Sequence, residues 1–73
     1  MATNEEMKLE YSILSDVWKF YKENYKVETT QEYWNEVLKQ SKELLNKYEN
    51  NELCKDLLVA LICDLERKFT IIN

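Results

Sequence analysis

Neither glycine nor proline occurs among the 73 residues, and this double absence narrows the accessible folds more than any motif does. Without glycine, positive φ has no low-cost carrier, so two-residue hairpin turns and phosphate-cradling loops are disfavoured. Without proline, nothing interrupts a helix from inside. Glu, Lys and Leu abound, and all three are good helix formers. The implied class is all-α. The length allows one small domain, residues 1–73, whose single core is marginal unless something supplements it.

Three helices can be placed from caps and periodicity. Thr3-Asn4-Glu5-Glu6 fits a capping box, with Thr3 as N-cap and Glu6 reaching back. Met7, Tyr11, Leu14, Trp18, Tyr21 and Tyr25 then recur in alternating steps of four and three, which keeps one stripe facing a neighbour. Helix 1 is expected over about residues 4–25 with that stripe inward. Thr29-Thr30-Gln31-Glu32 reads as a second capping box led by Thr29, opening helix 2 over about residues 29–48. Its inward stripe is Trp34, Val37, Leu38, Ser41, Leu44, Leu45 and Tyr48. Asn50-Asn51 forms the next joint, since Asn tolerates the left-handed conformation and also caps helix starts. Helix 3 follows over about residues 52–69, with Cys54, Leu57, Leu58, Leu61, Leu65, Phe69 and Ile72 inward. Short joints favour antiparallel neighbours, so an up-down-up three-helix bundle is the expected topology.

Charge and composition exclude several function classes. Fourteen acids against ten Lys and Arg give a net charge of −4, which argues against general nucleic-acid binding through clustered cations. That balance is also too mild to make a nucleic-acid mimic the leading idea. At 45% apolar the chain is too rich for disorder. Met1 to Glu6 lack the basic and apolar regions of a signal peptide. The longest apolar run, Leu57 to Cys63, is too short to span a bilayer. A cytoplasmic location away from membranes is expected.

No catalytic, cofactor or metal site emerges from the residue types. With two Cys and no His, a zinc tetrad has too few ligands. On one helix Cys54 and Cys63 point to opposite sides about 13 Å apart, beyond the roughly 7 Å that a disulfide tolerates between Cα atoms. Cys54 falls on the core stripe, and Cys63 has no His to activate it as a nucleophile. Ser41 is expected to bond back to a carbonyl one turn earlier and allow close helix approach. Lys8, Lys19, Lys22 and Lys26 share another side of helix 1. They form a basic ridge that reads first as a solvated face.

Apolar residues outside the three stripes are more informative. Leu9, Ile13 and Phe20 on helix 1, and Val59, Ile62 and Cys63 on helix 3, are left uncovered by this arrangement. They are the expected interface residues, and a second copy of the chain is the economical cover. The expected fold is thus a bundle that dimerises by burying helices 1 and 3.

Trp18-Lys19-Phe20-Tyr21-Lys22, Glu32-Tyr33-Trp34, Cys54-Lys55-Asp56-Leu57-Leu58 and Asp64-Leu65-Glu66-Arg67 form a pattern over about residues 14–68. It resembles small uncharacterised helical proteins of phages and mobile elements in low-GC Gram-positive bacteria. The resemblance implies an accessory role, binding a phage or host protein, and brings no catalytic residues with it. The leading functional expectation is a self-associating protein-interaction module, not an enzyme. The alternatives are a nucleic-acid-associated regulator using the lysine ridge, and an acidic inhibitor mimicking nucleic acid.

Overall fold

A computed structural model of the chain describes residue 3 and residues 5–72, with side chains up to Thr70. Asn4, where helix 1 was expected to open, and the inward placement expected of Ile72 lie outside what is described. Three helices follow in order, α1 (Lys8–Glu23), α2 (Gln31–Lys47) and α3 (Glu52–Ile72). No strand occurs among the described residues.

The helix ends follow side-chain chemistry, with shifts from expectation. Thr3 Oγ1 accepts from the Glu6 amide at 3.2 Å, and the Met7 amide donates to the Thr3 carbonyl. That cap organises a leading turn, and the regular helix begins only at Lys8, with Met7 as an N-cap that offers no side-chain acceptor. At the other end Asn24 stops α1 short of residue 25, its amide shared between the Phe20 and Tyr21 carbonyls.

The N-cap of α2 is Thr30, not Thr29. Its backbone is extended, and its side chain accepts from the Tyr33 amide at 3.2 Å. The physical reason for the one-residue shift lies in Tyr33, whose hydroxyl donates to the Asn24 carbonyl at 2.7 Å and so ties the first turn of α2 to the end of α1. Between α2 and α3 the chain takes two consecutive left-handed residues, Glu49 (φ 52°) and Asn50 (φ 60°). The Asn50 amide reaches back to the Leu45 carbonyl at 2.8 Å, the bonding that closes a helix ending in this conformation. Asn51 then caps α3 by accepting from the Cys54 amide.

Cross-helix contacts fix the directions. Asp16 of α1 meets Lys47 and Tyr48 at the end of α2, whereas Asn24 meets Gln40 nearer its middle. Trp34 packs edge-on to Phe69, and Leu44 faces Cys54. Both sequential pairs are therefore antiparallel, giving the up-down-up bundle. The core consists of Ile13, Val17 and Phe20 from α1, Val37 from α2, and Cys54, Leu58 and Leu65 from α3. Ser41, also buried, donates to the Leu38 carbonyl at 2.8 Å, as expected of a small residue at a helix contact. Burial pushes the Cys54 thiol above its ordinary range.

Helices α2 and α3 present the stripes anticipated from sequence, although Leu38 stands about half exposed. The orientation of α1 is not the expected one. Ile13 and Phe20 point into the bundle, at 0% and 3% exposure. Met7, Tyr11, Leu14, Trp18 and Tyr25 are all exposed.

Candidate interaction surface

The outer face of α1 carries a row of apolar side chains that the bundle leaves uncovered. At 100° per residue, Met7, Tyr11, Leu14, Trp18 and Tyr21 fall within an arc of about 80°. Ile13, Val17 and Phe20 point roughly 110° away, toward α2 and α3. Exposure divides the two arcs sharply: Tyr11 is 73%, Trp18 57% and Leu14 51% exposed. Met7, Tyr11 and Leu14 together line a shallow depression with Lys8 and Glu10.

Two polar clamps hold α1 in this rotation. Toward α2, Asp16 Oδ2 accepts from Lys47 Nζ at 2.6 Å and from the Tyr48 hydroxyl at 2.5 Å. The Lys47 bond first, and the Tyr48 bond second, hold the Asp16 carboxyl below its ordinary range. Toward α3, the Tyr21 hydroxyl donates to Asp64 Oδ2 at 2.5 Å and accepts from Lys68 Nζ at 2.7 Å. Arg67 also pairs with Asp64 at 3.1 Å. The Tyr21 bond, followed by that from Arg67, lowers the Asp64 pKa. Lys68 in turn lies 3.7 Å from the Tyr25 ring centroid, a cation–π contact. Its pKa is raised, chiefly by the bond to Tyr21.

At the end of the inner stripe sits Asn24, a buried polar side chain. Its amide group donates to the Phe20 carbonyl at 2.8 Å and to Gln40 Oε1 at 2.9 Å. These bonds satisfy a group that would otherwise be costly to bury.

Lysines border the outer stripe on the side away from α3. Lys8, Lys19 and Lys22 are exposed, and none takes part in the ion pairs formed among the described residues. Lys22 Nζ lies 5.8 Å from the Trp18 ring centroid. Within α1, the roughly 180° that hold stripe and lysines contain no acid. Glu10 and Glu23 fall at or beyond its edges. Lys26, the last member of the expected ridge, follows the end of the helix.

No family model, curated protein or solved structure matches this chain. The surface must therefore be read from its own chemistry. Among the described residues no group of three Cys, Asp or Glu is placed to hold a metal ion. None of the described helices is long and apolar enough to cross a membrane.

The six residues expected at an interface are dispersed. Ile13 and Phe20 are core residues of the single chain and cannot meet a partner. Ile62 is half-buried and packs against that core. Leu9 is exposed beside Tyr48 and Lys47, at the junction of α1 and α2. Val59 and Cys63 are exposed on α3. The side chains that do form a continuous exposed stripe, Met7, Tyr11, Leu14 and Trp18, were read from sequence as core. One signal could have found them. Ile13, Val17, Phe20 and Asn24 also repeat in steps of four, three and four, and their three apolar members carry no polar atom to satisfy inside.

Proposed function

We propose that the chain is a helical protein-interaction module that docks its partner on the outer face of α1. One observation carries this reading: Met7, Tyr11, Leu14 and Trp18 stand exposed in a single row on a helix whose core-forming row lies about 110° around from them. Large apolar side chains scattered singly are ordinary on a surface, but a contiguous row is a mark of an interaction site. Aromatic residues are also the types that anchor interfaces most strongly. The elongated bundle adds to this. Its radius of gyration of 13.6 Å exceeds the roughly 11 Å typical of a globular chain this long, so a large share of its apolar surface meets solvent. An accessory role in a phage or mobile element fits a module that acts only through what it binds.

Differential capture tests the reading. Wild type, Leu14→Asp/Trp18→Asp and Lys39→Asp proteins would be used as bait in extract of the source cells. Lys39 lies on the exposed side of α2. Proteins retained by wild type and Lys39→Asp should be lost with the α1 double variant. An identical set on all three baits would place the binding surface elsewhere.

A nucleic-acid-associated regulator is the second reading, favoured by Lys8, Lys19 and Lys22 standing exposed and free of ion pairs beside Trp18. It requires binding of DNA or RNA that weakens steeply as salt rises. Salt-independent binding, or none, would remove it.

A further inference from the structure

Building on the interaction-module reading, we infer that the occupant of the α1 face is an acidic amphipathic helix of another protein. It would lie along Tyr11, Leu14 and Trp18, with its carboxylates against Lys8, Lys19 and Lys22. Three observations lead there.

The first is the shape of the stripe. Met7, Tyr11, Leu14, Trp18 and Tyr21 alternate in steps of four and three and occupy only about 80° of the helix. Such a narrow two-in-seven seam is what a facing helix requires for its side chains to interlock. A helix lying in a membrane surface uses a broader apolar arc and gains nothing from the 3.5-residue period. The exposed part of the seam, Met7 to Trp18, spans about 17 Å at 1.5 Å per residue, matching a partner helix of about three turns.

Charge selects the sign of the partner. The chain carries a net charge of −4, yet three lysines border the seam on the side away from α3, against the single acid Glu10 at its other edge. Those ammonium groups form no ion pair among the described residues. Lys19 feels the field of Asp16 and Lys22 lies near the Trp18 ring, so a carboxylate-bearing surface can engage them without breaking an ion pair. The Tyr11 hydroxyl and the Trp18 indole N–H can donate to the same carboxylates.

The same charges disfavour a second copy. Packing α1 on its duplicate would bring Lys8, Lys19 and Lys22 of one copy toward those of the other. Neither remaining helix offers an acidic complement. The outer side of α2 mixes Glu32, Glu36 and Glu43 with Lys39, Lys42 and Lys47, and that of α3 mixes Glu52, Asp56 and Glu66 with Lys55 and Arg67.

The test uses two designed 21-residue helical peptides with Leu at the seam positions. One carries Glu at the flanking positions and its twin carries Lys. Calorimetry on the wild-type chain reads affinity. Fluorescence of a Trp34→Phe variant reads Trp18 alone. The acidic peptide should bind at least about tenfold more tightly than its twin, blue-shift Trp18, and weaken as salt rises from about 50 to about 500 mM. Lys19→Glu/Lys22→Glu should reverse the preference. The inference is overturned if the acidic peptide does not bind, or if the twin binds equally. It is also overturned if the chain dimerises with Trp18 buried, or if phosphatidylserine vesicles or duplex DNA shift Trp18 at lower concentration than the acidic peptide. If these outcomes occur while Leu14→Asp/Trp18→Asp still loses its captured proteins, the face stands and only its occupant is wrong. If capture is unaffected as well, the module reading falls with it.

Discussion

Helix α1 carries two apolar faces of similar length, and the bundle treats them oppositely. The inner one, Ile13, Val17 and Phe20, is buried almost completely, while the outer one, with larger side chains at Tyr11, Leu14 and Trp18, stands half exposed or more. The difference lies in polar atoms and girth rather than in apolar area. Ile13, Val17 and Phe20 bring nothing that needs a hydrogen bond, and two of them are β-branched and stiff, which suits close packing. The outer row brings phenols and an indole, whose polar tips need partners once buried. A core of seven apolar side chains has no room for several such partners. Tyr21, the only outer aromatic that is half-buried, is the one that reaches Asp64 and Lys68 at the rim. In a small bundle, the row that can be dried completely becomes the core.

Truncating matched residues on the two faces gives the largest expected contrast. Phe20→Ala should cost about 3–5 kcal/mol, from lost transfer energy plus a cavity. In a domain whose total stability is of similar size, that approaches global unfolding. Trp18→Ala removes more atoms, yet should change stability by no more than about 0.5 kcal/mol, as surface substitutions do. Urea denaturation of both variants measures the contrast. Comparable losses would mean that the outer row is buried in solution, by a partner copy or by a rotated α1.

That contrast also marks where sequence was sufficient. In α2 one face is apolar and the other carries Asn35, Glu36, Lys39, Lys42, Glu43, Asn46 and Lys47, all exposed as expected. A single clean period left one orientation open. The inward residues of α3 were legible too, because Cys54, Leu58 and Leu65 run along the helix, whereas the second apolar set, Val59, Ile62 and Cys63, spans little more than one turn. In α1 two rows satisfied the same 3–4 spacing, and weight of aromatic residues selected the wrong one. Periodicity alone cannot break such a tie, whereas the cost of burying phenol and indole tips can. The proposed docking face rests on the same reasoning from uncovered apolar residues, applied to different side chains.

Asn24 sharpens the comparison at the end of the inner row. Replacing it with Ala removes donors to the Phe20 carbonyl and to Gln40. The loss should be about 1–3 kcal/mol, the penalty for leaving such groups without a partner. Tyr25→Ala, one residue on and exposed, should cost less than about 1 kcal/mol. Thermal melts of the two variants decide the order. A larger loss at Tyr25 would shift the weight of α1 anchoring from the Asn24 node to the Lys68 cation–π contact.

The entry into α2 is expected to matter less than either. Thr30→Ala should destabilise by about 0.5–2 kcal/mol, the usual cost of losing an N-cap acceptor, and Thr29→Ala by less than about 0.5 kcal/mol. Circular dichroism melts separate the pair. A greater effect at Thr29 would restart α2 one residue earlier. It would also rotate the Tyr33 hydroxyl away from the Asn24 carbonyl that fixes where α1 ends.

The smallest effect belongs to the clamps, and pH isolates it. Asp16 and Asp64 both titrate below their ordinary 3.8 in the folded chain. A depressed carboxylate contributes stability that is complete above the unfolded value and is lost as pH falls through the folded one. Lys47 and Lys68 are raised above 10.5, so their contribution is complete below that value and is lost as pH climbs beyond it. Between these limits the melting temperature should be nearly flat, and below about pH 4 it should fall. Asp16→Asn and Asp64→Asn should each flatten that acid limb, and both together should flatten it further. The two carboxylates sit on opposite sides of α1 and share no partner, so their effects should add. Protonation removes the charge that strengthens the bonds Asp64 accepts from Tyr21 and Arg67, and those Asp16 accepts from Lys47 and Tyr48. Acid should therefore loosen α1 from α3 and from α2 independently. Because both clamps lie at the rim, Phe20 should stay protected from solvent until the whole chain unfolds. Hydrogen exchange of the Phe20 and Trp18 amides near pH 3 reads this directly. An acid slope unchanged in both variants would leave apolar packing alone to choose which face of α1 turns inward.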